Sequence, residues 1–355
     1  MYMSDNLNIK KNPLSFQLNV EDFLPADEAE KQELVIMRES VTFWKDGLRN
    51  LFRNPIAMAS AIVIVLVMLF AFLGPVIYPY DYHYQIRGSE NLAPMEYSEA
   101  ELAAIEAGEE VFPHLLGTDS LGRDYMIRIM MGARVSLIVG LVASGIILVI
   151  GALYGAISGF FGGMADMIMM RIVEIIYSIP DILIIIILSV GLKEPLKVYF
   201  EGNPMLKSIS MLGPSLIGIF ITFSLLYWVG MARIVRGQVL TIKEQEYVTA
   251  AKALGASSAR IIRKHILPNC IGTLIVVSTL QIPSAIFTES FLSFLGIGVS
   301  APMPSLGSLA SDAVGGIQSY PLRLFAPALC ICVIILSFNL FGDGLRDAFD
   351  PKLKK

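Results

Sequence analysis

Six apolar runs constrain this chain before anything else. They lie at about 56–77, 135–157, 171–192, 211–232, 270–296 and 324–341. Each approaches the ~20 residues that an α-helix needs to cross a bilayer. Hydrocarbon offers no partner to a free amide or carbonyl, so runs of this length are expected as helices that satisfy their own backbones. Hydrophobic residues make up 55% of the 355 positions and charged residues 16%, against about 25% charged in a soluble domain. Mean hydropathy is +0.64. The expected class is an all-α, multi-pass membrane protein. The first run begins near residue 56, too far in for a cleavable signal peptide and long enough to span.

The net charge of −4 says little, but its distribution sets an orientation. Lys45, Arg49 and Arg53 precede the first run, and Arg346, Lys352, Lys354 and Lys355 follow the last. Between the fourth and fifth runs stand Arg233, Arg236, Lys243, Lys252, Arg260, Arg263 and Lys264, against Glu244 and Glu246. Basic residues flanking spans mark the cytoplasmic side. Six crossings put all three clusters there, with both termini cytoplasmic. Residues 1–40, with acids at Glu21, Asp22, Asp27, Glu28 and Glu30, read as a cytoplasmic tail. Within 41–55, Trp44, Leu48, Leu51 and Phe52 recur at helical spacing, which predicts an interfacial amphipathic helix. Residues 56–355 are expected to form the membrane domain.

The same count puts 78–134 outside as a long acidic loop. Ser98 to Glu110 suits a short helix there. Asp119, Arg123 and Asp124 suit a self-paired turn held against the second span.

Charges inside a span need a reason. Glu174 and Asp181 lie in the third run and Glu289 in the fifth, with Pro180 and Pro283 expected to interrupt those helices. Two readings stand open. These groups line a polar translocation path, for which Asp181 and Glu289 are the candidates, or Glu174 and Glu289 reach interfacial water at span ends. Asp181 is deeper and is expected in the pathway or in a buried partner contact. In the second run Gly145, Gly151, Gly155 and Gly159 stand out. The last three have the small-xxx-small spacing of closely packed helices. Cys270, Cys330 and Cys332 form neither a disulfide framework nor a zinc pattern and read as small buried apolar residues.

The polar segment 233–268 is expected to be folded. Thr241 and Glu244 fit a capping box at a helix start. Gly255 fits a helix end, where a residue without Cβ turns left-handed cheaply. Ser257 or Ser258 can cap a second helix and Pro268 can end it. Ala250 and Ala251 would let another surface approach closely.

This segment resembles the coupling loop of ABC importer permeases, with its pattern Glu-Ala-Ala, three residues, Gly, nine residues, Ile-x-Leu-Pro. The pattern falls on Thr249, Ala250, Ala251, Gly255, His265, Leu267 and Pro268. Thr249 and His265 depart from it, but in the manner of the peptide-permease branch. Glu246-Tyr247-Val248 and the His-x-Leu-Pro-Asn run ending at Asn269 match that branch as well. Residues 117–124, 132–137, 289–309 and 336–354 are similar to the same regions of peptide permeases, so the resemblance covers roughly residues 41 to 355.

The resemblance implies the type I ABC importer permease fold, six transmembrane helices with a cytoplasmic coupling-helix loop at 233–268. It implies the C-type inner-membrane subunit of an importer for oligopeptides or dipeptides. Such a subunit pairs with a second homologous permease, with two cytoplasmic ABC ATPase subunits that bind ATP and Mg, and with an extracytoplasmic peptide-binding protein. The implied ATPase-coupling residues are Glu246, Tyr247, Thr249, Ala250, Ala251, Gly255, His265, Leu267 and Pro268.

The sequence itself carries no phosphate-binding Gly-x4-Gly-Lys-Ser/Thr loop, so ATP hydrolysis is not expected in this chain. His83, His114 and His265 are its three histidines, and they assemble into no catalytic or metal constellation. No basic, aromatic-interleaved face points to nucleic acid. A proton-coupled secondary transporter acting as a single chain is an alternative, although no internal repeat supports it. Another is an ABC permease for nickel complexes or glutathione.

Overall fold

The computed structural model describes residues 43–202, 214–299 and 302–349. The expected tail at 1–40, the start of the fourth run and the basic residues Lys352, Lys354 and Lys355 lie outside that range. The chain divides into two units, 1–46 and 47–355. Of the first, only the opening of α1 (Phe43–Arg53) is described. Leu48 and Phe52 on α1 are exposed, as is Trp44, while Leu51 is buried.

The described residues of the second unit form helices and connecting turns, with no strand among them. Asn54 opens α2 (Pro55–Phe72) by accepting from the Ile56 and Ala57 amides at 3.1 and 3.2 Å, with Pro55 in the first turn. A four-residue helix, α3 (Gly74–Ile77), completes that crossing. Four more continuous helical runs are long and apolar enough to span: Tyr125–Phe161, Pro214–Ile242, Ser258–Phe294 and Pro321–Phe349.

The third apolar run is broken where Pro180 was expected to interrupt it. Helices α6 (Gly163–Ser178) and α7 (Asp181–Glu201) bend by 83° across Ile179 and Pro180. Pro180 brings no N–H, and its ring forces Ile179 out of the helical region, to φ −92° and ψ 135°. Pro283 does the opposite of what was expected. Helix α12 (Leu267–Phe294) runs through it unbroken, and the proline is buried in a packed face. Neighbouring helices hold a turn that lacks one amide.

Helix α5 (Tyr125–Phe161) occupies the centre. It begins ten residues earlier than its apolar run because Asp124 caps it, accepting from the Ile127 amide at 3.0 Å. The loop before it is therefore 78–124. One flank of α5 packs on α8 (Pro214–Leu226) and α9 (Trp228–Ile242). A Cβ on Gly155 would lie 2.4 Å from the Ala232 carbonyl oxygen, and one on Gly159 would lie 3.0 Å from that of Arg236. Gly151 meets Met231 equally closely, whereas Gly145 faces open space. The close-packing expectation holds for the three glycines spaced by four.

At the end of this seam Asp166 on α6 accepts two bonds from the Arg236 guanidinium, at 2.5 and 2.6 Å, and one from Ser158 at 2.5 Å. Helices α5, α6 and α9 are tied at one point. Cys270 is buried, Cys330 half-buried and Cys332 exposed. Cys332 thus corrects the expectation that all three are buried. It sits on an outer flank of α14 (Pro321–Phe349), where an apolar side chain is at home in hydrocarbon.

The segment between the first two spans is ordered by charge. Ser98 and Glu101 form a capping box at the start of α4 (Glu99–Glu106), within the stretch expected to be helical. His114, fully buried, bridges Glu101 Oε1 at 3.0 Å and Asp124 Oδ2 at 2.7 Å. Burial disfavours its charge, but the two carboxylates prevail and raise its pKa above the ordinary value. Asp119 closes the expected turn. It accepts from the Leu121 and Arg123 amides at 2.8 and 3.0 Å and from Arg123 Nε at 2.7 Å, and it pairs with Arg128. Burial opposes its charge, yet the Arg123 amide and the Arg128 cation outweigh burial and lower its pKa.

Candidate functional site: a helical lever between two spans

Helix α9 does not stop at Thr241. It continues to Ile242 because Val235 and Val239 are buried and Ile242 packs on the same cluster. The Thr241 hydroxyl bonds back to the Gly237 carbonyl at 3.4 Å, so the expected capping box does not form. The chain turns over Lys243–Gln245. Helix α10 (Glu246–Ala253) then starts at Gln245, whose extended backbone opens it without a side-chain cap.

Gly255 ends the turn after α10 with φ +78°. Its amide reaches the Lys252 carbonyl and that of Ala256 reaches Ala251, which closes the helix end. Ser257 opens α11 (Ser258–Ile261), as expected, though with its backbone alone. Pro268, expected to end this helix, does not end it. A single π-turn, Ile262–Ile266, leads straight from α11 into α12, and Pro268 sits in the first turn of α12. Proline has no amide for the Lys264 carbonyl and would crowd it in an α-turn. The wider turn, closed from the Leu267 amide to the Ile262 carbonyl, makes room.

This unit has an inner and an outer side. Val248, Ile261, Ile262 and Ile266 are buried with Ala156, Val235, Val239 and Cys270, and Ala251 and Leu267 pack on that cluster. Lys252 Nζ stands 5.2 Å from the centre of the Phe160 ring at the end of α5. Lys243 Nζ reaches the Gly159 carbonyl at 3.0 Å. Asn269 donates to the Tyr247 hydroxyl at 3.2 Å and to the His265 carbonyl at 2.6 Å. The Tyr247 and His265 rings lie 6.4 Å apart. The outer side carries Glu246, Thr249, Ala250 and Gly255, all exposed. Leu254 is exposed to 89% at its tip. Sequence reasoning passed over Leu254, although a leucine just before a helix-ending glycine, outside any span, was a usable signal.

The structure brings together Tyr247, His265 and Asn269, and separates Ala250 on the outer side from Ala251 on the inner one. It leaves Asp181 and Glu289 far from each other in environment. Asp181 opens α7 and lines a cleft of about 510 Å³ with Ile176–Pro180, Tyr227 and Gly230. It is exposed there and makes no buried partner contact among the described residues. Glu289 does not reach the chain's surface. It accepts from Ser136 at 2.9 Å and Ser293 at 2.7 Å in a fully buried hydroxyl cage. Glu174 is exposed and pairs with Arg171 at 2.8 Å.

Residues 151–355 match the family described as binding-protein-dependent transport system inner membrane component. That span holds the lever and the spans on both sides of it. The chain belongs to this permease family. Residues 42–94 match a second family description, the N-terminal transmembrane domain of oligopeptide transport permease C. The permease is 42% identical to the oligopeptide transport system permease protein OppC of Bacillus subtilis over 93% of this chain and 95% of that one. It is 40% identical to the dipeptide transport system permease protein DppC of the same organism, over 96% and 95%. OppC of Escherichia coli K12 is 38% identical over 88% and 93%. Among solved structures, the MetNI methionine ABC transporter in inward-facing conformations matches with a TM-score of 0.46 and 19% identity, over 63% of this chain and 96% of that one. The permease is a multi-pass transport component of the membrane and not an enzyme.

Proposed function

We propose that this permease is one of two pore-forming subunits of an ATP-driven peptide importer, and that α10 and α11 receive the stroke of separate ATPase subunits. The observation that carries this is the two-sidedness of the lever. An exposed outer face of Glu246, Thr249, Ala250 and Leu254 stands on a buried apolar base shared with α5, α9 and α12. A push on that face is borne by packed side chains, which resist deformation, and so moves α9 and α12 as bodies. The basic residues around the lever and before α2 support a cytoplasmic position for it and for both termini. The segment 78–124 then faces the extracytoplasmic binding protein. The relatives' names supply oligopeptides or dipeptides as the substrate class.

On this reading the cleft at Asp181 faces the second permease and lines the pathway. Glu289 braces α5 against α12 from within. The gate switches because the ATPases contact its two states differently.

The test pairs two measurements on the assembled transporter. Leu254→Cys should cross-link to an ATPase subunit, and the cross-link yield should change with nucleotide. Peptide uptake should survive collapse of the proton gradient and stop when ATP is depleted. Uptake that follows the proton gradient instead would establish the single-chain secondary transporter.

A further inference from the structure

Two arginines lie on either side of one cleft with donor atoms left over. Arg128, on the first turns of α5, is 5% exposed. Its Nη1 pairs with Asp119 and its Nη2 lies 3.9 Å from Asp312 Oδ2. Its Nε is buried and has no hydrogen-bond partner among the described residues. Arg323, at the start of α14, donates from Nη1 to Asn91 Oδ1 at 2.7 Å and lies 4.1 Å over the Tyr320 ring. Its Nη2 is likewise buried and unpartnered among the described residues. The Tyr125 hydroxyl ties the two elements together by donating to the Arg323 carbonyl at 2.5 Å. Both arginines line a cleft of about 460 Å³ between the 91–123 segment, α13 (Leu306–Val314) and α14.

A buried donor without a partner is costly, the more so on a charged group. The cleft wall carries Arg123, Arg128 and Arg323 against Asp119 and Asp312. Asp119 is already occupied by four donors. Asp312 is mostly exposed and only loosely paired. The wall is thus one positive charge in excess, and two planar cations on it each keep one enclosed N–H without a partner among the described residues.

We infer that this cleft is a binding site for a carboxylate, held between Arg128 and Arg323. A monoanion matches the single excess charge, whereas a phosphate dianion would meet repulsion from two wall carboxylates. Guanidinium groups bind the two oxygens of a carboxylate with good geometry. The carboxylate has two possible sources on this face: the free terminus of a small peptide, or an acidic side chain of the extracytoplasmic binding protein. The choice of these two sources rests on the importer reading. The site itself rests on the two arginines.

The experiment uses the reconstituted transporter with all its subunits. N-acetyl-dialanine and its C-terminal amide are titrated in turn, and then the purified binding protein. If the carboxylate is a free terminus, the acid binds at least ten-fold tighter than the amide, and Arg323→Gln abolishes the difference. If it belongs to the binding protein, acid and amide bind alike, but the binding protein's affinity falls at least ten-fold in Arg323→Gln. In either case Asp312→Asn, at an exposed position, strengthens the same interaction by removing a competing carboxylate. The inference is overturned if neither the peptides nor the binding protein distinguishes both variants from wild type. ATP-driven peptide uptake by the wild-type transporter is measured alongside. Its failure would sink the importer reading and leave the site untouched.

Discussion

Asn269 Nδ2 donates to the Tyr247 hydroxyl at 3.2 Å, joining the first turn of α10 to the first turn of α12. These residues lie in the two halves of the motif that brackets the lever. On the proposed reading their contact would hand a displacement of α10 to the base of a span, through one side-chain bond and the apolar cluster beneath it.

Asn269→Ala should lower ATP-driven uptake several-fold while leaving thermal stability nearly intact. The bond is exposed, so its contribution falls at the low end of the ~0.5–1.5 kcal/mol of a typical hydrogen bond. Tyr247→Phe should do the same, and the double variant should be no worse than either single one. Additive losses in that uptake cycle would show that the two residues act separately.

Gly255→Val should abolish coupling although nothing lies within 4 Å of the added Cβ. The obstacle is φ +78°, which costs about 1–2 kcal/mol for a residue with Cβ and more when that Cβ is branched. Gly255→Asn, which tolerates this region, should keep most uptake. Membrane insertion of both variants, read by immunoblot of the membrane fraction, should be normal.

Gly155→Ala should destabilise the detergent-solubilised permease by about 1–3 kcal/mol, the ordinary cost of overpacking. Its Cβ would meet backbone, which cannot swing away. Gly145→Ala, facing open space, should raise stability by up to about 1 kcal/mol, since alanine suits a helix better than glycine. Thermal melts of the two variants should shift in opposite directions.

The 78–124 segment should be tighter in acid than in base. His114 carries a raised pKa, so the stability it contributes is full below its unfolded value of ~6.5 and is lost as pH rises through the folded value. The groups facing it are Glu101, Asp124 and the stacked Tyr80, with Tyr78 donating to Asp124. Tyr80 itself, pushed up to about 12 by burial and then by Glu101 and Asp124, stays neutral through this window. Proteolysis of the segment should quicken as pH is raised above the unfolded value of ~6.5 and through the higher folded value. His114→Gln should flatten that profile.

Much of the architecture was legible residue by residue. Gly255 announced its turn because positive φ has few tenants. The stretch from Ser98 to Glu110 announced a short helix, and the structure adds the Ser98–Glu101 capping box that opens α4. Gly151, Gly155 and Gly159 announced a tight seam, though not the helix across it. Thr241 misled for a reason of the opposite kind. Its cap was locally sound, but burying Val239 and Ile242 favoured carrying α9 past it. Pro180 and Pro283 are alike in sequence, yet the first breaks its span and the second does not. Neighbouring helices pack around Pro283, whereas Pro180 borders an open cleft.

By itself, the order of residues determined which stretches enter the bilayer and which local turns and caps connect them, and its charge bias set the expected orientation. These features come from short-range chemistry, such as span length, flanking charge, a missing Cβ or a missing amide. Only the tertiary structure decided that Asn269 meets Tyr247, that Glu289 is enclosed by serines, and that Arg128 and Arg323 line one cleft. Those relationships join residues from 22 to nearly 200 positions apart. Nothing local in a sequence encodes which distant side chains will share a low-dielectric interior.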